Sequence, residues 1–395
     1  MDEILLKPGR DKSVKARHPW IFEGAIERVK GSPASGANVL VRSSEGQALA
    51  IAAWSPSSQI RGRVWTVQPE ETVDADFFRR RLVRALGHRE HLPERRSLNA
   101  LRLVNSEGDG LPGLIADLYA DWLVVQFLSA GAEFWRDTLL SLLAELLPGV
   151  SIYERSDSDG RRREGLEPRS GLLAGSEPPD AVEVSEGPWK LLVDVKRGHK
   201  TGLYLDQRDN REAVRLASQG KEVLNCFCYT GGFSVAALAG GASRVESVDA
   251  SEDALALARR NCELNGGDPA KTIFTCADVF QFLRRCRDAR KTYDVIILDP
   301  PKFADSKVQV DKAARGYKDI NLLAFKLLRP GGTLFTYSCS GLVETPLFKK
   351  IVSDAALDAG REALVVRRLS QSACHPVPLS FPEGEYLKGL QIACP

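Results

Sequence analysis

Beyond Gly220 the chain repeats one pattern, and that pattern constrains its fold more than any other feature. Apolar, β-rich runs at Glu222–Phe227, Arg244–Asp249, Thr272–Ala277, Tyr293–Asp299 and Gly332–Ser338 alternate with helical segments near Phe233–Ala239, Glu252–Asn265, Val279–Ala289, Asp311–Leu328 and Thr345–Ala359. Strands connected through helices pair in parallel, so the alternation predicts a doubly wound sheet that binds ligands at the carboxyl ends of its strands. The last two runs, Ala363–Leu369 and Leu387–Ala393, have no helix between them and should close the sheet as an antiparallel pair.

The whole chain has 395 residues, enough for two or three domains at roughly 150 residues each. Residues 1–73 read as short strands separated by turn residues, a small all-β module. Residues 74–187 read as mixed α and β. A helix starts at Asp74 in "DADFFRRRLVRALGHREHL" and stops at Pro93. Two strands flank a glycine-rich turn in "LRLVNSEGDGLPGLIADLYADWLVVQF", and one helix covers "AEFWRDTLLSLLAEL". Ser156–Gly187 turns polar, as an exposed linker would, so the third domain is placed at 188–395.

Composition narrows the function classes. With 43% hydrophobic and 27% charged residues the chain reads as globular. No apolar run approaches the ~18 residues of a membrane span, and "MDEILLKPGR" lacks the pattern of a signal peptide, so a cytoplasmic protein without a membrane partner is expected. The net charge is +2, so a nucleic-acid partner must be held by local patches. All eight cysteines lie at or beyond Cys226 and all six tryptophans at or before Trp189, which separates two differently built halves. The cysteines form no CxxC pair and no zinc-type spacing, so no metal is expected and most read as small core hydrophobes.

The loop after the first strand, "NCFCYTGGFSVAAL", brings Tyr229, Thr230 and Gly231 to the rim of the sheet. Asp249 ends the second strand 18 residues after Gly231, where a carboxylate can accept hydrogen bonds from both hydroxyls of a ribose. A dinucleotide site would add G-x-G-x-x-G to cradle a pyrophosphate, and the Gly231–Gly232 pair supplies no such nest. An adenosyl ligand without phosphates fits better, and S-adenosylmethionine is the expected cofactor. Asp278, after the third strand, can accept from an adenine amino group or simply cap the helix that follows.

The fourth strand ends in "ILDPPKF". Pro300 and Pro301 stiffen the turn and leave carbonyls without intrachain donors, so Asp299 and a carbonyl can take the polar edge of a flat base while Phe303 stacks on it. The fifth strand ends in "TYSCSG", which puts Cys339 at the same rim in a polar setting suited to a reactive thiol. Carbon 5 of a pyrimidine attacks a methyl sulfonium only after a thiolate has added at carbon 6, and an acid near ring nitrogen 3 stabilises the adduct. Cys339 and Asp299 are the candidate catalytic pair. Upstream, Lys196, Arg197, Lys200, Arg208 and Arg211 form a basic stretch that would close over the cofactor or meet RNA phosphates. The late cluster "CHPVPLSFPEGEYLKG" offers His375, Glu385 and Lys388 as pocket-lining groups.

In this order "HKTGLYLDQRDNR", "NCFCYTGGFSVAAL", "LDPPKF", "YSCSG" and "FPEGEYLKG" resemble the bacterial 23S ribosomal RNA cytosine-5 methyltransferases of the large subunit methyltransferase I type, over essentially the whole chain. "RHPWIF" and "WSPSSQI" resemble the N-terminal PUA domain of that family, and "NSEGDGLPGLIAD" its linking α/β domain. The resemblance implies an α/β protein built as a PUA-like RNA-binding β-barrel, a central α/β domain and a C-terminal Rossmann-like class I methyltransferase sheet. It implies Cys339 as nucleophile, Asp299 as the acid of the DPP motif, Asp249 and Asp278 at the ribose and adenine, and Asp206, Gln207 and Arg208 near the cofactor. By the same resemblance the RNA partner is 23S ribosomal RNA; a homodimer is left open. Two positions depart from the family pattern: Trp54 stands where Tyr is usual and Cys374 where Asp is expected. Three rival readings are a guanine methyltransferase using direct nitrogen attack, an NAD-dependent dehydrogenase, and a non-catalytic assembly factor using only its barrel.

Overall fold

The computed structural model describes residues 1–92, 95–304 and 306–395; the helix stop expected at Pro93 lies outside the described residues. By contact density the chain forms two compact units. One comprises Met1–Val184, Val193–Leu205 and Ala373–Gly384, the other Ser185–Leu192, Asp206–Ser372 and Glu385–Pro395.

The first unit contains two sheets. Six short strands between Glu3 and Thr66 form one, around a core that includes Ile4, Val39, Val41, Ala50 and Ala52. The other has five strands, Ala100–Asn105, Leu114–Tyr119, Trp122–Phe127, Ser151–Ser156 and Arg169–Ala174, packed with helices Ala75–Glu90 and Arg136–Leu146. Asp74 caps the first of these helices by accepting from Phe77 N at 2.9 Å.

Three local expectations need correction. The stretch read as two strands around Gly108–Gly113 holds three, because Ala120 adopts a left-handed φ of 52° and turns the chain tightly between Tyr119 and Trp122. The helix read through "AEFWRDTLLSLLAEL" is two, Ala130–Phe134 and Arg136–Leu146, which meet at Trp135, whose ring packs on Phe78. The polar segment 156–187, read as a linker, contributes an edge strand, Arg169–Ala174, paired antiparallel with Ser151–Ser156. An edge strand with few buried positions shows no apolar alternation for the sequence to reveal.

The second unit is built on a seven-stranded sheet. Its strands are β1 (Glu222–Cys226), β2 (Arg244–Asp249), β3 (Thr272–Cys276), β4 (Tyr293–Leu298), β5 (Leu328–Ser338), β6 (Leu364–Ser370) and β7 (Lys388–Cys394), in the spatial order 3-2-1-4-5-7-6. The first five run parallel to one another, and β7 is antiparallel to both β5 and β6. Order reverses between β1 and β4, so the carboxyl ends of those strands form the topological switch point where ligands bind in open α/β sheets.

Helices cover both faces of this sheet. One face packs α1 (Arg208–Leu216) and α2 (Gly232–Ala239) over Val223, Val295, Ile297, Phe335 and Tyr337. Helix α3 (Glu252–Leu264) bridges β2 to β3. The other face packs α4 (Val279–Asp288), α5 (Val310–Leu327) and α6 (Thr345–Asp358) over Leu224, Ile296, Leu298 and Leu334. Burial on both faces is why these strands read as continuous apolar runs. All eight cysteines are free thiols; six are buried, as expected of most of them, while Cys339 is half-buried and Cys276 exposed. No described helix is long and apolar enough to cross a membrane.

Candidate active site

The loop from β1 into α2 is built on alternating left-handed residues: Phe227 at φ 58°, Tyr229 at 47° and Gly231 at 80°. For Phe and Tyr this conformation costs of order 1 kcal/mol or more each, and such strain concentrates at ligand sites. At Gly231 the constraint is double, since a Cβ there would also lie 3.0 Å from the Ala258 Cβ. Asp249, at the end of β2, fastens the loop: its Oδ2 accepts from Tyr229 N at 2.8 Å and its Oδ1 from Ser251 N at 3.0 Å. A carboxylate has about four acceptor positions, so capacity for a diol remains. Thr230 is buried, and its carbonyl accepts from Asn261 Nδ2 at 2.8 Å. Asp278 is exposed and caps α4, accepting from Gln281 N at 2.9 Å.

On adjacent strands β4 and β5, side-chain alternation sorts the residues that lead to the two candidate catalytic groups. Val295, Ile297, Phe335 and Tyr337 face the α1/α2 side, and Cys339 packs partly against the same cluster. Asp299, two residues past Ile297, continues that face, and its Oδ1 accepts from Gln207 Nε2 at 2.9 Å. The acid and the thiol thus follow neighbouring parallel strands at one rim, on one side of the sheet. Pro300 is buried and Pro301 exposed; the Phe303 ring sits 4.6 Å from that of Tyr317, a tilted contact that already covers part of it.

Residues 206–211 brace this rim. Gln207, in the turn before α1, is oriented by Asn210, whose Nδ2 donates to Gln207 Oε1 at 2.6 Å and to the Ser370 carbonyl at 3.1 Å. The amide of Gln207 therefore presents its N–H to Asp299. Asp206 accepts from the Tyr386 hydroxyl at 2.5 Å. Arg208 is buried, with its Nε 3.2 Å from Asp209. Asn210 and Tyr386 were not among the expected site residues. Asn210 stands one helical turn after Gln207, a spacing that signals a shared face, whereas nothing local ties Tyr386 to Asp206 across 180 residues.

The two basic residues expected to contact RNA differ in burial. Arg211 is 2% exposed and bonds Glu186 through two nitrogens at 2.6 and 2.5 Å, so its guanidinium is committed inside the unit rather than offered to phosphate. Burial works against its charge, but Glu186, followed by Asp206 and Asp299, holds it firmly protonated. Lys200 is exposed, lies in the first unit and rests its ammonium 4.7 Å from the Tyr204 ring centre. Of the late cluster, His375 is buried in the first unit with Nδ1 3.3 Å from Cys374 Sγ, and Glu385 is exposed in the second. Among the described residues no group of three or more His, Cys, Asp or Glu is arranged to hold a metal.

Residues 159–376 match the model of an S-adenosylmethionine-dependent methyltransferase family, and residues 4–67 match a PUA-like domain. A ribosomal RNA large subunit methyltransferase I from Aeromonas hydrophila is 57% identical over 98% of both chains, and one from Shewanella amazonensis is 54% identical over 98% of both. The chain belongs to this methyltransferase family. Among solved structures, a candidate methyltransferase complexed with SAH covers 100% of both chains at 24% identity and a TM-score of 0.87, a likeness of fold. A SAM-dependent methyltransferase from Agrobacterium tumefaciens covers 75% of this chain and 89% of its own, with a TM-score of 0.51 at 20% identity.

Membership fixes the cofactor as S-adenosylmethionine and the architecture as a PUA-like module with a Rossmann-like methyltransferase sheet. The residues fit that cofactor. The strained 227–231 loop supplies no G-x-G-x-x-G phosphate nest, and the Asp249 carboxylate keeps acceptor capacity that a ribose diol would use.

Proposed function

We propose that the chain methylates carbon 5 of a cytosine in 23S ribosomal RNA through a covalent adduct with Cys339. Methylation of large-subunit ribosomal RNA is what the names of its full-length relatives indicate, and the PUA-like module supplies an RNA-binding element. The observation that carries the finer reading is the pairing of a half-buried thiol with a carboxylate after adjacent parallel strands, on one face, beside the cofactor loop.

In this reading Asp249 holds the ribose hydroxyls and Asp278 the adenine edge. Asp206, Gln207, Arg208, Tyr229, Thr230 and Gly231 line the rest of the cofactor. Pro300, Pro301 and Phe303 hold the target base, and Lys200 meets phosphate. The Cys339 thiolate forms a bond to carbon 6, and the displaced π electrons make carbon 5 nucleophilic. S-adenosylmethionine, when bound, would supply the methyl that carbon 5 takes, its methyl–sulfur bond breaking with the electron pair left on sulfur as S-adenosylhomocysteine. A base then removes the carbon 5 proton; the freed pair rebuilds the ring double bond as the sulfur–carbon bond breaks and returns its electrons to Cys339. Asp299 bonds ring nitrogen 3 of the adduct, with Gln207 fixing its orientation.

The test is incubation of unmodified 23S RNA with labelled cofactor and either the natural chain or Cys339→Ala, followed by mapping of the labelled base. The expected result is label on a cytosine with the natural chain and a loss of at least about 10³-fold in rate for the variant. Near-normal activity without the thiol, or label on a guanine, would overturn the proposal.

A further inference from the structure

Lys388 is the first residue of β7, and its backbone is fixed on both sides, opposite Ser338 of β5 and Ser370 of β6. The residue is 7% exposed. Its ammonium donates to the Ser340 carbonyl at 2.6 Å and to the Val343 carbonyl at 2.9 Å. Those two carbonyls belong to the turn that follows Cys339, and Ser338 precedes it, so one lysine grips the chain on both sides of the thiol.

Such a residue is expensive if its only task is to tie a loop. A buried ammonium loses its hydration, and among the described residues no carboxylate forms an ion pair with it. A neutral amide could bond the same carbonyls at lower cost. Burial does push the Lys388 ammonium below its ordinary range, and the acidic groups near enough to oppose that push are Cys339 and Glu344. Stabilisation between two charges is reciprocal. If an ionised Cys339 favours the charged lysine, the charged lysine favours the thiolate by the same free energy.

We propose that Lys388 is a positioning residue for the nucleophile: it clamps the 340–343 turn by two carbonyls and sets a positive charge beside Cys339 that favours its thiolate. The inference rests on the reading of Cys339 as nucleophile. It adds a second function to the motif that closes the sheet, because β7 inserts between β5 and β6 and thereby delivers its first side chain under the nucleophile turn.

The test needs no RNA. The full chain is treated with iodoacetamide across a series of pH values, and alkylation of Cys339 is followed by mass spectrometry of its peptide, with the exposed Cys276 as internal reference. In Lys388→Met the apparent pKa of Cys339 should rise by about one unit, a roughly tenfold slower alkylation at neutral pH, while Cys276 is unchanged. Lys388→Arg should keep most of the wild-type profile, and affinity for S-adenosylhomocysteine should be unaltered in both. If the methionine variant loses that affinity, Lys388→Gln, which retains a donor for the carbonyls without the charge, carries the same expectation. An unchanged Cys339 profile in a variant that binds S-adenosylhomocysteine normally would overturn the proposal. Failure of the covalent reading is separate, since it would show as methylation by Cys339→Ala whatever the alkylation profile.

Discussion

Asp278 has one observed role and one proposed role, and chemistry can separate them. One carboxylate oxygen caps α4 at Gln281 N; the other is the proposed acceptor for an adenine amino group. Serine caps helices about as well as aspartate, so Asp278→Ser should leave the melting temperature nearly unchanged. Losing one hydrogen bond to the ligand should weaken S-adenosylhomocysteine binding by about threefold to tenfold. Calorimetric titration beside a thermal melt distinguishes the outcomes: unchanged affinity leaves only the cap, and Asp278→Ala should then cost about 1 kcal/mol of stability and nothing else. Asp249 differs in kind. Its carboxylate already accepts from Tyr229 N of the 227–231 loop and from Ser251 N beside it, so a substitution there would mix binding with loop order.

At the scale of elements, the parallel sheet was legible because its inner strands β1, β2, β4 and β5 are largely buried and apolar and most crossover helices carry a 3.6-residue apolar period, whereas the edge strand β3 has no buried residue; the former are signals a local window can carry. The expected strand and helix boundaries in the second unit match the observed ones to within a few residues. What escaped was set by tertiary pairing: the edge strand Arg169–Ala174, the turn at Ala120 and the break at Trp135. In the site, the residues after strand ends could be read from their motifs. The burial of Arg211 could not, because its partner Glu186 lies 25 residues upstream in a polar segment that resembled a linker.

The same limit hid the most buried ion pair of the five-stranded sheet. Arg102 and Asp117 stand directly opposite on adjacent antiparallel strands and form two hydrogen bonds of 2.8 Å, with Asp117 fully buried and also accepting from Thr201 Oγ1 at 2.7 Å. Burial alone would raise the Asp117 carboxyl, but the Arg102 charge, its hydrogen bonds and Thr201 outweigh it and hold the group below its usual 3.8. Asp117→Asn, which removes the charge opposing the buried guanidinium, should destabilise the first unit by about 3–5 kcal/mol at neutral pH. A carboxyl lowered on folding contributes stability above its unfolded pKa and loses it as pH falls through the lower folded value. The difference in melting temperature between wild type and variant should therefore narrow below pH ~4. A gap that stays constant on acidification would contradict the ionised pair.

Across the whole molecule, the chain passes repeatedly from one compact unit to the other, and this decides where it can be cut. A fragment of residues 188–395 carries Val193–Leu205 and Ala373–Gly384 away from the unit they belong to. In the intact first unit Arg155 donates to the Val195 and Gly198 carbonyls at 2.9 and 3.0 Å. Arg89 reaches the Cys374 carbonyl at 2.9 Å, Asn105 the Pro376 carbonyl at 3.1 Å, and the Tyr119 hydroxyl lies 2.9 Å from Thr201 Oγ1. Each lost partner costs about 1 kcal/mol or more, a large share of a domain's marginal stability when several are lost together. Leu205 directly precedes Asp206, so disorder in the first of these segments would reach the brace formed by Asp206, Gln207 and Asn210. The fragment should melt at least several degrees below the full chain and bind S-adenosylhomocysteine at least about tenfold more weakly. Equal melting and equal affinity would mean that the two segments contribute nothing to the methyltransferase unit, and that its site is complete without them.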